Sequence, residues 1–160
     1  DGEVLCTTMF DYYGMPGSWP QRETARKSPF PQKPVVIEQA LLTDIAGELG
    51  GGFNPARFIP YVQMHEFEAL LFSDLKLLAD GLDLPSDSET RRIREQFPSP
   101  EEINDSQQTA PFKRIMGLNP GYAKVTDGAL ISQKIGLKVM RDQCPHFNEW
   151  LRKLEALAGR

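Results

Sequence analysis

The stretch Arg57 to Phe72, RFIPYVQMHEFEALLF, constrains this chain more than any other. Its apolar residues up to Met64 spell a short strand, with Pro60 near the start, where a missing N–H is tolerated. They run directly into His65, Glu66 and Glu68, and then into an amphipathic, helix-like stretch. Polar groups at the carboxyl end of a buried strand are where open α/β sheets place their chemistry. A core has no need of a histidine and two carboxylates within four residues. A second acidic strand end comes earlier. Val4 to Phe10 is short and mostly apolar, with β-branched Val4, Thr7 and Thr8, and it leads into Asp11. That pattern predicts a strand buried on both faces, with Cys6 inside it. Val35 to Leu49 repeats apolar residues at helical spacing and stops at Gly50-Gly51-Gly52. Strand, helix, strand implies a right-handed crossover and a parallel pair. In such a pair the strand ends are neighbours, which would bring Asp11 near His65 and Glu66.

The rest of the chain reads as loop and helix. Asp11 to Pro34 is a long loop that carries Arg22, Arg26, Lys27 and Lys33 close to Asp11. Loops of that length are functional or simply mobile, and both readings stay open. Beyond Glu66 the pattern is almost all helical. Segments are expected at Ser86–Phe97, from Thr109-Ala110-Pro111 onward, at Asp127–Met140 and at His146–Leu157, and Ser99 is placed to cap a short turn starting at Pro100. The fold class is therefore α/β, a small parallel sheet with a largely helical C-terminal half. The 160 residues make one domain, 1–160, or most of one. Because the chain opens with Asp1 so close to its first strand, an earlier segment is expected before it.

Composition narrows the function classes. A net charge of −4 argues against tight nucleic-acid binding by the whole surface and leaves room for a local basic groove. Cys6 and Cys144 form neither a disulfide framework nor a zinc spacing, which points to a reduced, cytoplasmic setting. No apolar run approaches membrane-spanning length and no signal peptide is visible, so no membrane partner is expected.

Asp11, Glu66 and Glu68, with His65 beside them, are the candidates for chemistry. Hard carboxylate oxygens around a cleft suit Mg²⁺ or Mn²⁺. The competing reading places Glu66 and Glu68 in a helix first turn, where negative charge complements the dipole, and makes Asp11 a turn residue. On a helix the two glutamates would point about 200° apart. HExxH is ruled out because residue 69 is alanine. Lys113, Arg114, Tyr122 and Lys124 follow an acidic loop of Glu101, Glu102, Asn104 and Asp105. Cations near carboxylates suit a phosphate-bearing substrate, and a charged solvent face is the alternative. His146 reads as structural. Gly50-Gly51-Gly52 lacks the Lys-Ser/Thr of a phosphate loop.

The pieces TTMFDYYGMP, RFIPYVQMHEFEALLF, PEEIND followed by TAPFKRI, the Tyr122/Lys124 pair and CPHFNEWL resemble an uncharacterised family of small bacterial proteins with a Toprim-like fold. Genes of that family often lie beside those for an AAA/ABC-type ATPase, as in OLD-like nuclease and phage-defence systems. The resemblance implies a Mg²⁺- or Mn²⁺-dependent nuclease or other phosphodiester hydrolase acting on nucleic acid. It equally implies a catalytically silent module that partners the ATPase, and self-association is compatible with either. Toprim domains hold metal with a glutamate after a first strand and an Asp-x-Asp at a later strand end. Asp11 matches the first aspartate of that pair, and Tyr13 stands where the second would be. The upstream glutamate has no counterpart after Asp1, so Glu66 and Glu68 are the acids left to replace it. The resemblance thus implies metal at Asp11, Glu66 and Glu68, and substrate contacts from Lys113, Arg114, Tyr122 and Lys124.

Overall fold

Two segments about fifty residues apart lie side by side as a parallel ribbon. Cys6–Thr7 (β1) and Phe10–Asp11 (β2) face Phe58–Ile59 (β3) and Val62–Gln63 (β4), with Cys6 opposite Phe58 and Phe10 opposite Val62. The offset is the same in both pairs, so this is one ribbon with an interruption. Pro60 causes it, because proline has no N–H to donate to a ladder. The Thr8 hydroxyl bridges the gap, accepting from the Tyr61 N–H at 2.9 Å and donating to the Tyr61 carbonyl at 3.1 Å. The Phe10 N–H then resumes the ladder on the same carbonyl.

The structure is a computed structural model describing residues 4–103 and 106–158, and it divides into two compact units. The first is Asp1–Gln63 with Trp150–Arg160, and the second is Met64–Glu149. The expected parallel pairing is present, and the protein is mixed α/β with helices predominating. No helix among the described residues is long and apolar enough to cross a membrane.

In the first unit the crossover helix is α2, Gln32–Leu49, preceded by α1, Arg22–Lys27. α2 buries Lys33, Pro34, Ile37, Glu38 and Leu41, a stripe at helical spacing. It starts earlier than the sequence pattern suggests. Pro34 falls in its first turn, where an N–H would have no intrahelical partner anyway. Gly50, at φ 64°, ends it. The expected long loop is thus mostly structured. Its basic residues are also committed: the Arg22 guanidinium lies 3.6 Å from the Tyr12 ring centroid, Lys33 is buried, and Arg26 and Lys27 pair with Glu23. The strand at Val4 to Phe10 is corrected too. Val4 is 78% exposed, and Cys6 is exposed rather than buried. Each strand has a single hydrogen-bonded neighbour among the described residues, and β4 is the buried side of the ribbon, with Val62 and Gln63 fully buried. From the last helix, Trp150 stacks on Tyr61 at 4.4 Å and donates its indole N–H to the Thr7 hydroxyl.

The second unit is a helical core. A 3-10 run, Phe67–Ser73, buries Glu68, Ala69, Leu70, Leu71 and Phe72 together, so it is enclosed on every side. Around it lie α3 (Leu75–Gly81), α4 (Ser88–Arg94), α5 (Pro111–Leu118), α6 (Thr126–Ile135), α7 (Leu137–Gln143) and the start of α8 (Pro145–Ala158). Asp127–Met140 is not one helix, because Gly136, at φ 79°, breaks it into α6 and α7. Ser99 donates to the Glu102 carboxylate instead of capping the turn after it.

Candidate functional site

Buried and half-buried glutamates organise both units, and three of them serve the backbone. Glu38 accepts the Val62 N–H of β4 at 2.9 Å. Glu66 accepts the Phe112 N–H of α5 at 2.9 Å. Glu101, fully buried, accepts the His146 and Phe147 N–H groups of α8, each at 2.9 Å. α5 and α8 share a local defect. Each begins with proline, and the residues before them, Ala110 and Cys144, carry no oxygen to cap the first turn. A distant carboxylate supplies the missing cap. The acidic loop is therefore not a solvent face at Glu101, while Asn104 and Asp105 lie outside the described residues.

Glu68 is the exception. It is fully buried, and no main-chain N–H of another described residue reaches its carboxylate. Its partner is the Lys124 ammonium, 3.0 Å away, whose side chain is 42% exposed. The Tyr122 hydroxyl faces the same carboxylate without closing a well-formed hydrogen bond. Burial raises the Glu68 carboxyl above the usual carboxylate range, against the pull of Lys124. Burial, then the Glu68 charge, pushes the Tyr122 phenol upward, so Tyr122 stays a neutral hydroxyl. Gly128 makes room for it, since a Cβ there would sit 2.7 Å from the Tyr122 oxygen.

Phe112 joins these parts, and sequence reasoning missed it. Its N–H is held by Glu66, its ring lies 6.2 Å from that of Tyr122, and the ammonium groups of Lys124 and Lys113 lie 5.5 Å and 5.7 Å from its centroid. Its position directly before Lys113-Arg114 in a helix first turn was the available signal. Arg114 stands apart, over the Phe97 ring and bonded to the Thr109 carbonyl. His65 is buried at the start of the same unit. Asp11 belongs to the first unit, opposite Gln63, beside a cavity lined by Met9, Phe10, Met15 and Trp19. Of the expected site residues, the second unit thus brings Glu68, Tyr122, Lys124 and Lys113 around Phe112, with Glu66 bonded to that residue's backbone. No group of three or more Asp, Glu, His or Cys side chains converges on a cation-sized position among the described residues. The cluster offers an exposed ammonium rim for an oxyanion, a neutral hydroxyl donor, and a carboxyl that burial pushes toward holding a proton.

Fold and cluster together define a mixed α/β protein with a short parallel ribbon and, in a mainly helical unit, a buried glutamate paired with an exposed lysine. The chain belongs to the family described as Domain of unknown function (DUF4276), whose model matches residues 1–155. No curated protein and no solved structure matches it.

Proposed function

We propose that this protein is a Toprim-like module that processes phosphodiesters of nucleic acid, with the phosphate held at the Lys113–Lys124 rim of the second unit. The observation that carries this reading is the Glu68–Lys124 pair. A fully buried carboxylate without a backbone duty is spent on one half-exposed ammonium. Taking the carboxylate out of water costs several kcal/mol, and a lysine whose side chain stays 42% exposed returns little of that in stability. Lys124 and Lys113 bind the phosphate, and Tyr122 donates a hydrogen bond. The Toprim resemblance adds Mg²⁺ or Mn²⁺, with Asp11 as the carboxylate it names. The two acids of the second unit do not fit a metal on their own, since Glu66 is bonded to α5 and Glu68 to Lys124. The test is nicking of supercoiled plasmid DNA in Mg²⁺, in Mn²⁺ and in EDTA, by the native protein and by Lys124→Met and Asp11→Ala. Loss of nicking in Lys124→Met is expected, and Asp11→Ala tests separately the metal that the resemblance implies. Equal nicking by native protein and Lys124→Met refutes the assignment.

A second reading is an interaction module for an AAA/ABC-type ATPase. It draws on the exposed apolar residues of the first unit, where Val4, Leu5, Met9 and Phe10 are each at least 40% exposed. A pull-down with the neighbouring ATPase tests it, and undiminished capture by Phe10→Ser/Met9→Ser rejects this surface.

A further inference from the structure

The geometry points to Glu68 as a positioning residue for Lys124, not a metal ligand. It fixes one of two ammonium groups that grip an oxyanion beside Phe112. The inference rests on the phosphate-binding reading of this rim and assigns Glu68 a different role from the one its place in the sequence suggests.

Three observations support it. Among the glutamates tied to the second unit's backbone, Glu66 and Glu101 hold helix N–H groups, whereas Glu68 holds only a side chain. Lys124 spans the boundary of the protein, with its ammonium on a buried carboxylate and its side chain 42% exposed. A lysine has a long, rotamer-rich stem, and holding its charge in one place before a ligand arrives removes an entropic cost from binding. Finally, the Lys113 and Lys124 ammonium groups lie 5.7 Å and 5.5 Å from the centroid of one ring, Phe112.

The experiment uses inorganic pyrophosphate as the probe, in EDTA, with binding read by calorimetry. In parallel, the Lys124 ammonium resonance is followed by ¹⁵N NMR, and Mn²⁺ binding by electron paramagnetic resonance. Lys124→Met should weaken pyrophosphate at least about tenfold. Glu68→Gln should weaken it several-fold, and Glu68→Asp should recover part of the loss. Glu68→Gln should also broaden or shift the Lys124 ammonium signal while leaving Mn²⁺ affinity within about twofold of native. A Lys124 signal unchanged by Glu68→Gln overturns the inference, as does a large loss of Mn²⁺ affinity in that variant. If native protein fails to bind pyrophosphate while the Lys124 signal still depends on Glu68, the phosphate reading falls and the positioning role stands. Glu68→Gln keeps the side chain's volume, and circular dichroism and a melting curve check that its fold is intact.

Discussion

Replacing Glu101 tests whether distant glutamates cap helices here. The accounting at the start of α8 is complete. Pro145 has no N–H, the Cys144 N–H bonds to Met140, and the Asn148 N–H makes the first intrahelical bond to Cys144. Two first-turn donors remain, His146 and Phe147, and Glu101 takes both. A hydrogen bond to a charged group contributes about 1.5–3 kcal/mol. Burial, which raises the Glu101 carboxyl above its usual range, offsets part of that. Glu101→Ala should therefore cost about 4 kcal/mol, and Glu101→Gln, which keeps one acceptor oxygen, about 2 kcal/mol. At about 2–4 °C per kcal/mol for a protein of this size, the alanine variant melts about 8–16 °C lower. The assay is calorimetric or fluorescence melting, with amide hydrogen exchange at residues 146 and 147. An alanine variant within about 1 kcal/mol of native, or unchanged exchange at those amides, would refute the reasoning.

Three further outcomes are expected. Thr8→Val keeps the shape and removes the hydroxyl that serves both Tyr61 backbone groups, at a cost of about 2 kcal/mol in urea or thermal unfolding. Gly128→Ala gains helix propensity but drives a methyl against the Tyr122 hydroxyl, for a net loss of about 1 kcal/mol. Combined with Tyr122→Phe it should instead be no less stable than Tyr122→Phe alone, as unfolding midpoints will show. Finally, Glu68 has a folded-state pKa raised by burial. Between the ordinary glutamate value of about 4.3 and that raised value, the native state binds more protons than the unfolded state. Its contribution to stability therefore falls as pH rises through that window, and Glu68→Gln should flatten this part of the stability–pH curve.

What could be read from the sequence followed from local causes. The parallel pair was legible because both strands are short apolar runs joined by a helix of the right length. The helices starting at Pro111 and Pro145 were legible from proline at a first helical position. Gly136 could have revealed the break between α6 and α7, since glycine alone accepts that φ easily. The roles of the glutamates could not be read. Glu66 and Glu101 each reach helices about 45 residues away, and no spacing rule links such positions. The opening segment also divides where the sequence shows no break. Gln63 closes the ribbon of the first unit, whereas Met64 onward, with His65, Glu66 and Glu68, belongs to the second. Phe112 escaped attention because an aromatic beside two cations looks like any core residue at a helix start.

The Thr8 hydroxyl has a consequence for how firmly the ribbon is aligned. A parallel ladder two residues long on each side of a proline has little to resist slippage, and a one-residue shift exchanges inward and outward faces along the whole strand. The native alignment sets the Thr8 hydroxyl opposite the residue that follows Pro60. A slip that put Thr7 there would give up that residue's own bonds to the Ile59 carbonyl and the Trp150 indole, and a slip the other way would put Met9 there, which has no hydroxyl. The two threonines together thus locate the ribbon. By fixing Phe10 on Val62 they fix Asp11 on Gln63, so the place of the first acidic residue is decided upstream of it.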